Sequence, residues 1–194
     1  MFAFISGTIV EKTPTYAVID CHGVGYHLHI SLNTFTQLPE SGNCKLYVHQ
    51  VIREDAHILF GFSSQEERII FRHLITVQGV GANTARMILS SMTVQDVVAA
   101  ISRASVSDFQ SVKGIGSKTA QKIIVDLKDK VGKEDFQGQF FDTSYNTVGK
   151  EALSALILLG FPKNQAEKAV NQVIKTSGES VILEDLIKAA LKIL

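Results

Sequence analysis

Two stretches of this chain can do chemistry with their backbones. Val77-Gln78-Gly79-Val80-Gly81-Ala82-Asn83-Thr84-Ala85 and Val112-Lys113-Gly114-Ile115-Gly116-Ser117-Lys118-Thr119-Ala120 are near-copies, offset by 35 positions (114 − 79). Each runs into an apolar helical pattern, Met87-Ile88-Leu89 in the first and Ile123-Ile124-Val125 in the second. A Gly-apolar-Gly turn that opens a helix aims several unpartnered N–H groups at one point. The helix dipole adds positive potential there, so each turn is a phosphate site. Two such sites of matched geometry predict a ligand with regularly spaced phosphates, which is nucleic acid. The expected contacts are Gly79, Val80, Gly81, Asn83 and Arg86 in the first copy. In the second they are Gly114, Ile115, Gly116, Ser117, Lys118 and Lys122.

Other chemistries fit the chain poorly. The Rossmann fingerprint needs a third glycine where Thr84 and Thr119 stand. Gly116-Ser117-Lys118-Thr119 lacks the glycine that a P-loop places directly before its lysine, so ATP binding by that route is not expected. Cys21 and Cys44 have no metal-ligand spacing and read as half-buried reduced thiols. His27 and His29 share one face of a strand but have no local third ligand, so no metal and no cofactor is expected. No nucleophile or general-acid constellation stands out, and the expectation is a protein without a catalytic site.

Charge puts a constraint on nucleic-acid binding. The 194 residues carry 19 Lys/Arg and 19 Asp/Glu, a formal net charge of zero. Residues 1–63 hold three cations (Lys12, Lys45, Arg53) against five acids (Glu11, Asp20, Glu40, Glu54, Asp55). The slight cationic excess lies in residues 64–141, with the glycine turns. Affinity must then come from local placement and from several subunits acting together. The start of the chain has no signal-peptide pattern, and no apolar run approaches the ~18 residues a membrane span needs. A soluble cytoplasmic protein with no membrane partner is expected.

The elements around the turns follow from periodicity. Residues 1–63 read as five short strands: Phe2–Val10, Tyr16–Asp20, Tyr26–Ile30, Lys45–Ile52 and His57–Phe62. They predict a small OB-fold barrel. From Ser63 the period becomes helical, with a Ser63/Glu66 capping box and Ile69, Ile70, Leu74 and Ile75 on one face. A second helix, Val94–Ile101, follows a Thr93 N-cap. Residues 64–132 thus form an all-helical domain, and 133–147 read as a flexible linker whose Phe136, Phe140 and Phe141 could dock elsewhere. Residues 148–194 read as three short helices, about 148–159, 163–175 and 180–193, broken first at Leu159-Gly160-Phe161-Pro162. The fold class is multidomain α+β.

The paired turns match the helix-hairpin-helix motif, whose amides grip a DNA phosphate. Together with Met1-Phe2-Ala3-Phe4-Ile5-Ser6-Gly7, Gly23-Val24-Gly25-Tyr26, Arg53-Glu54-Asp55-Ala56 and Phe60-Gly61-Phe62, they make the chain resemble the RuvA family of bacterial Holliday-junction-binding subunits over essentially its whole length. That resemblance implies a homotetramer, with an octamer left open, which holds four-way junction DNA open and square. It implies that Glu54 and Asp55 form an acidic pin at the junction centre. It also implies that a UBA-like C-terminal domain recruits the RuvB ATPase for branch migration in recombination and repair, with the RuvC resolvase as a further partner. Leu156, Leu159, Phe161, Leu186, Ile187 and Ala190 are the candidate motor contacts, although any one of them could instead pack the domain's own core. Two alternatives remain: a general helix-hairpin-helix duplex binder, or a DNA glycosylase using Lys118 and Asp126. The second lacks the Gly-Pro-Asp element and a tryptophan for a base pocket.

Overall fold

In the first sixty residues, apolar side chains alternate along each strand, and burying one face of all five strands requires the sheet to close on itself. The computed structural model describes residues 2–131, 147–177 and 181–194. Of the expected linker over 133–147, residues 133–146 with their three phenylalanines lie outside the described residues, and Thr147 already begins a helix. β1 (Phe4–Lys12), β2 (Tyr16–Cys21), β3 (Val24–Ile30), β4 (Gly42–Ile52) and β5 (His57–Phe62) form a closed barrel in the order β1-β2-β3-β5-β4. Every pair is antiparallel except β3 with β5. Ile5, Ile9, Ala17, Ile19, Leu28, Ile30, Leu46 and Val48 fill the interior, with the unpaired thiols of Cys21 and Cys44 half-buried at its edge. Between β3 and β4 the chain makes a short helix that the sequence pattern did not show, α1 (Leu32–Gln37), capped by Ser31.

The helices that follow grow out of the barrel. α2 (Gln65–Leu74), α3 (Ala82–Ser91), α4 (Val94–Ser102), α5 (Val106–Gln110) and α6 (Ser117–Val131) share one core. That core begins with Phe60 and Phe62 on β5, whose rings lie 5.1 and 4.9 Å from that of Phe71 on α2. The sequence repeat is also a packing repeat. Leu74 and Phe109, Val77 and Val112, Val80 and Ile115, Ala85 and Ala120, Ile88 and Ile123, and Leu89 and Ile124 are all buried in this cluster at the same 35-residue offset (109 − 74). Thr93 caps α4 in a full capping box with Asp96.

The expected cap of α2 is corrected by one residue. Ser64, not Ser63, accepts the Glu67 amide. The reason is that Glu67 turns inward, where Ser31 Oγ and Thr34 Oγ1 both donate to its carboxylate, the latter at 2.6 Å. Placing Glu67 inward rotates the buried face to Glu67, Ile70, Phe71 and Leu74, leaving Ile69 and Ile75 partly exposed.

The chain divides into two compact units, Met1–Phe140 and Phe141–Leu194. The second holds α7 (Thr147–Leu158), α8 (Lys163–Ser177) and α9 (Leu183–Leu191). Ala152, Leu156, Ala166, Ala169, Val170, Val173, Leu186 and Ala190 make its core. Gly160, at φ +99°, supplies the left-handed residue that ends α7, and Phe161 N–H closes the turn onto Leu156 O at 3.1 Å. No helix among the described residues is long and apolar enough to cross a membrane.

Burial pushes the Glu67 carboxyl above its ordinary pKa, against the opposing pull of its hydroxyl donors. A group raised in the folded state contributes most stability below its unfolded pKa and loses it as pH rises through the folded value. In urea titrations from pH 4.5 to 7.5, the stability advantage of wild type over Glu67→Gln should therefore shrink as pH rises. An advantage that grows with pH would show that Glu67 is instead stabilised as an anion.

Candidate nucleic-acid interface

Each glycine turn is built in two steps. Val80 N–H bonds to Val77 O at 3.0 Å and Ile115 N–H to Val112 O at 3.1 Å, which closes a tight turn in both copies. The residue before the closing amide must be left-handed, and Gly79 (φ +93°) and Gly114 (φ +91°) supply it. The helix then starts, with Ala85 N–H on Gly81 O and Ala120 N–H on Gly116 O at 2.9 and 3.0 Å. The amides of Ala82, Asn83 and Thr84, and of Ser117, Lys118 and Thr119, are left without intrahelical acceptors. Gly81 offers no side-chain cap to occupy them.

Gly81 and Gly116 differ in kind from Gly79 and Gly114. Neither is left-handed, and a Cβ built on either meets no atom of the protein within 4 Å. The fold itself does not require glycine at these two positions. A glycine that neither conformation nor packing demands, repeated in front of two clusters of open amides, leaves room for something outside the protein to approach the backbone closely.

Several expected contacts are corrected. Val80 and Ile115 are buried and their amides close the turns, so they position the site rather than face a ligand. Arg86 reaches the barrel, where its guanidinium donates to Thr15 O at 2.8 Å; burial lowers its pKa without neutralising it. Asn83, Ser117, Lys118 and Lys122 remain exposed. Lys122 donates to Gln78 Oε1 at 3.0 Å, and Thr119 Oγ1 would lie 3.9 Å from a methyl at Gly79. The start of α6 therefore lies beside the first glycine turn.

The acidic pair sits on the same unit. Arg53 N–H bonds to Ala56 O at 2.8 Å and closes the β4–β5 hairpin, which leaves Glu54 and Asp55 exposed at its tip. Barrel and helices are tied by contacts that no local pattern reveals. Asn33 Nδ2 donates to Leu89 O and Met92 O at 2.6 and 2.9 Å and caps the end of α3 from α1. The Leu32 amide donates to Ser90 Oγ at 3.1 Å. His27 and His29 join an aromatic row with Tyr16 and Phe60, and among the described residues no metal-holding cluster includes them.

In the C-terminal unit Leu156, Leu186 and Ala190 are withdrawn from the candidate docking surface, because they are the unit's own core. Phe161 and Ile187 pack partly against that core. Leu159 is 62% exposed, and beside it stands Leu158, 88% exposed, which sequence reasoning missed. The signal was available: four apolar residues in a row, Leu156 to Leu159, cannot all face inward at 3.6 residues per turn.

Comparison with known proteins agrees with this layout. Residues 1–61 match the RuvA N-terminal domain, 71–129 the SAM-like helix-hairpin-helix tandem, and 147–194 the RuvA C-terminal domain. Relatives include the Holliday junction branch migration complex subunits RuvA of Christiangramia forsetii, 48% identical, and Cytophaga hutchinsonii, 46% identical. That of Bacteroides thetaiotaomicron is 43% identical. In each case 99% of both chains is covered.

Arg86→Ala removes a tie between barrel and helices rather than a DNA contact. It should lower unfolding stability by about 1.5–3 kcal/mol, the usual value of a hydrogen bond to a charged group, and leave the salt dependence of DNA binding unchanged. A reduced salt slope with unchanged stability would return Arg86 to the DNA surface.

Proposed function

This chain belongs to the RuvA family, and from that premise we propose that it binds four-way junction DNA and couples it to a branch-migration motor. Family membership sets aside the glycosylase alternative, and the protein is the non-catalytic subunit of its complex. The observation that carries the reading is the pair of open glycines, Gly81 and Gly116, in front of two amide clusters. Each cluster holds a backbone phosphate, with Asn83 beside the first and Ser117 and Lys118 beside the second. Sequence is not read, because amides facing phosphates carry no base information.

Specificity for a junction comes from the pin. In a homotetramer, four copies of Glu54 and Asp55 around the axis gather negative charge within about 10 Å, one Debye length, of the centre. A duplex running through that point is repelled, while the arms of an open, square junction lie outside it. Repulsion of the wrong substrate is as effective as attraction of the right one. The C-terminal unit presents Leu158 and Leu159, with Ile157, as the apolar contact for the RuvB ATPase. RuvC would meet the junction on the face left open by a single tetramer, and the protein works in the cytoplasm.

Gly116→Asp tests the grip, since a Cβ at this position meets no atom of the fold while a carboxylate would repel a bound phosphate. Its junction affinity should fall at least tenfold in a gel-shift titration while the thermal midpoint stays within a few degrees. Unchanged affinity would remove the second turn from the interface. Neutralising the pin with Glu54→Gln and Asp55→Asn should instead raise duplex affinity and narrow the junction preference; equal preference before and after would remove the pin argument.

A further inference from the structure

We infer that the groove between β4 and α2 is a third phosphate site, which holds the DNA backbone where a strand passes from the first glycine turn toward the acidic tip. The groove has a volume of about 500 Å³ and is lined by His49, Ile69, Arg72, His73, Ile75 and Thr76. Its place in the fold is what gives it meaning. His49 lies on β4 five residues before Glu54, ~17 Å along the strand from the tip. Thr76 lies three residues before Gly79. The groove therefore sits between the two features that the junction-binding reading uses, and the inference rests on that reading.

Its chemistry suits an anion. Arg72 is exposed on one wall, and Lys130 of α6 stands beside the groove with Nζ 3.4 Å from Thr76 Oγ1. Among the described residues neither Arg72 nor Lys130 has a carboxylate partner. Burial, then Arg72, then Arg68, lower the pKa of His49, so its imidazole is a neutral hydrogen-bonding group rather than a third cation. Arg68 is committed elsewhere, donating to Ala3 O at 2.7 Å and lying over the Tyr47 ring. Two cations without a carboxylate partner among the described residues, a hydroxyl and the imidazoles of His49 and His73 around an apolar floor make a phosphate subsite of modest strength. In a chain of zero net charge, their placement is what counts.

The test uses the full-length protein with Arg72→Gln, a synthetic four-way junction and a linear duplex of equal length, titrated over several salt concentrations. A linear duplex rests on the glycine turns alone; only a junction sends a strand on toward the tip. Junction affinity should fall three- to tenfold, its log–log salt slope should drop by about one, and duplex affinity should stay within twofold. Equal loss on both DNAs, or no loss on either, would overturn the inference. So would a change in subunit number by light scattering, which would make the groove a subunit contact. Gly116→Asp, run alongside, separates the two levels. If it abolishes binding while Arg72→Gln is silent, only the groove fails; if neither matters, the junction reading itself fails.

Discussion

The arrangement depends on one joint, the one that makes barrel and helices a single body. Its base is apolar: Phe60 and Phe62 leave the barrel wall to join the helical core, so the two parts share a buried seam. Its orientation is polar. The buried Glu67 carboxylate ties α2 to Ser31 and Thr34, Asn33 closes the end of α3, and Arg86 holds the β1–β2 loop. Apolar contacts alone would allow rotation, whereas hydrogen bonds of defined direction do not. The joint matters to the proposed function because it holds the glycine turns and the acidic hairpin tip in one unit. A junction can be told from a duplex only if the distance between attraction and repulsion is fixed.

The attraction itself needs little charge, which explains how a chain of zero net charge can act on DNA. In the proposed grip α3 and α6 present their first-turn amides, and the partial positive charge of each helix N-terminus takes the part that lysines play elsewhere. Duplication supplies the rest. The same six buried positions recur at a constant offset, so both turns are held by equivalent packing and meet a repeating backbone in equivalent ways. The left-handed glycines, Gly79 and Gly114, serve the turn, while Gly81 and Gly116 leave open space in front of the amides.

The barrel, the helical repeat and the three C-terminal helices were legible in the sequence because each rests on a local period. Its misses have physical causes. β4 begins at Gly42, three residues before the alternating pattern, because Gly42 and Asn43 pair with Ile9 and Thr8 of β1, and a ladder is invisible from one strand. α1 and α5 are six and five residues long, too short for a period to show. The choice between Ser63 and Ser64 turned on whether Glu67 faced in or out, and only Ser31 and Thr34 decide that. At the site, the turn-forming glycines Gly79 and Gly114 were legible from motif and spacing. The diversion of Arg86 to a carbonyl 71 residues away was not. Long-range partners leave no mark on a local pattern.

The central claim is that backbone amides, in two equivalent clusters, are what touch the DNA. Hydrogen–deuterium exchange of the protein with and without a four-way junction reads those amides directly. The account predicts slowed exchange over residues 82–84 and 117–119 together, on junction binding. Protection confined to lysine-rich surface elsewhere, with both helix N-termini exchanging as fast as in the free protein, would contradict it.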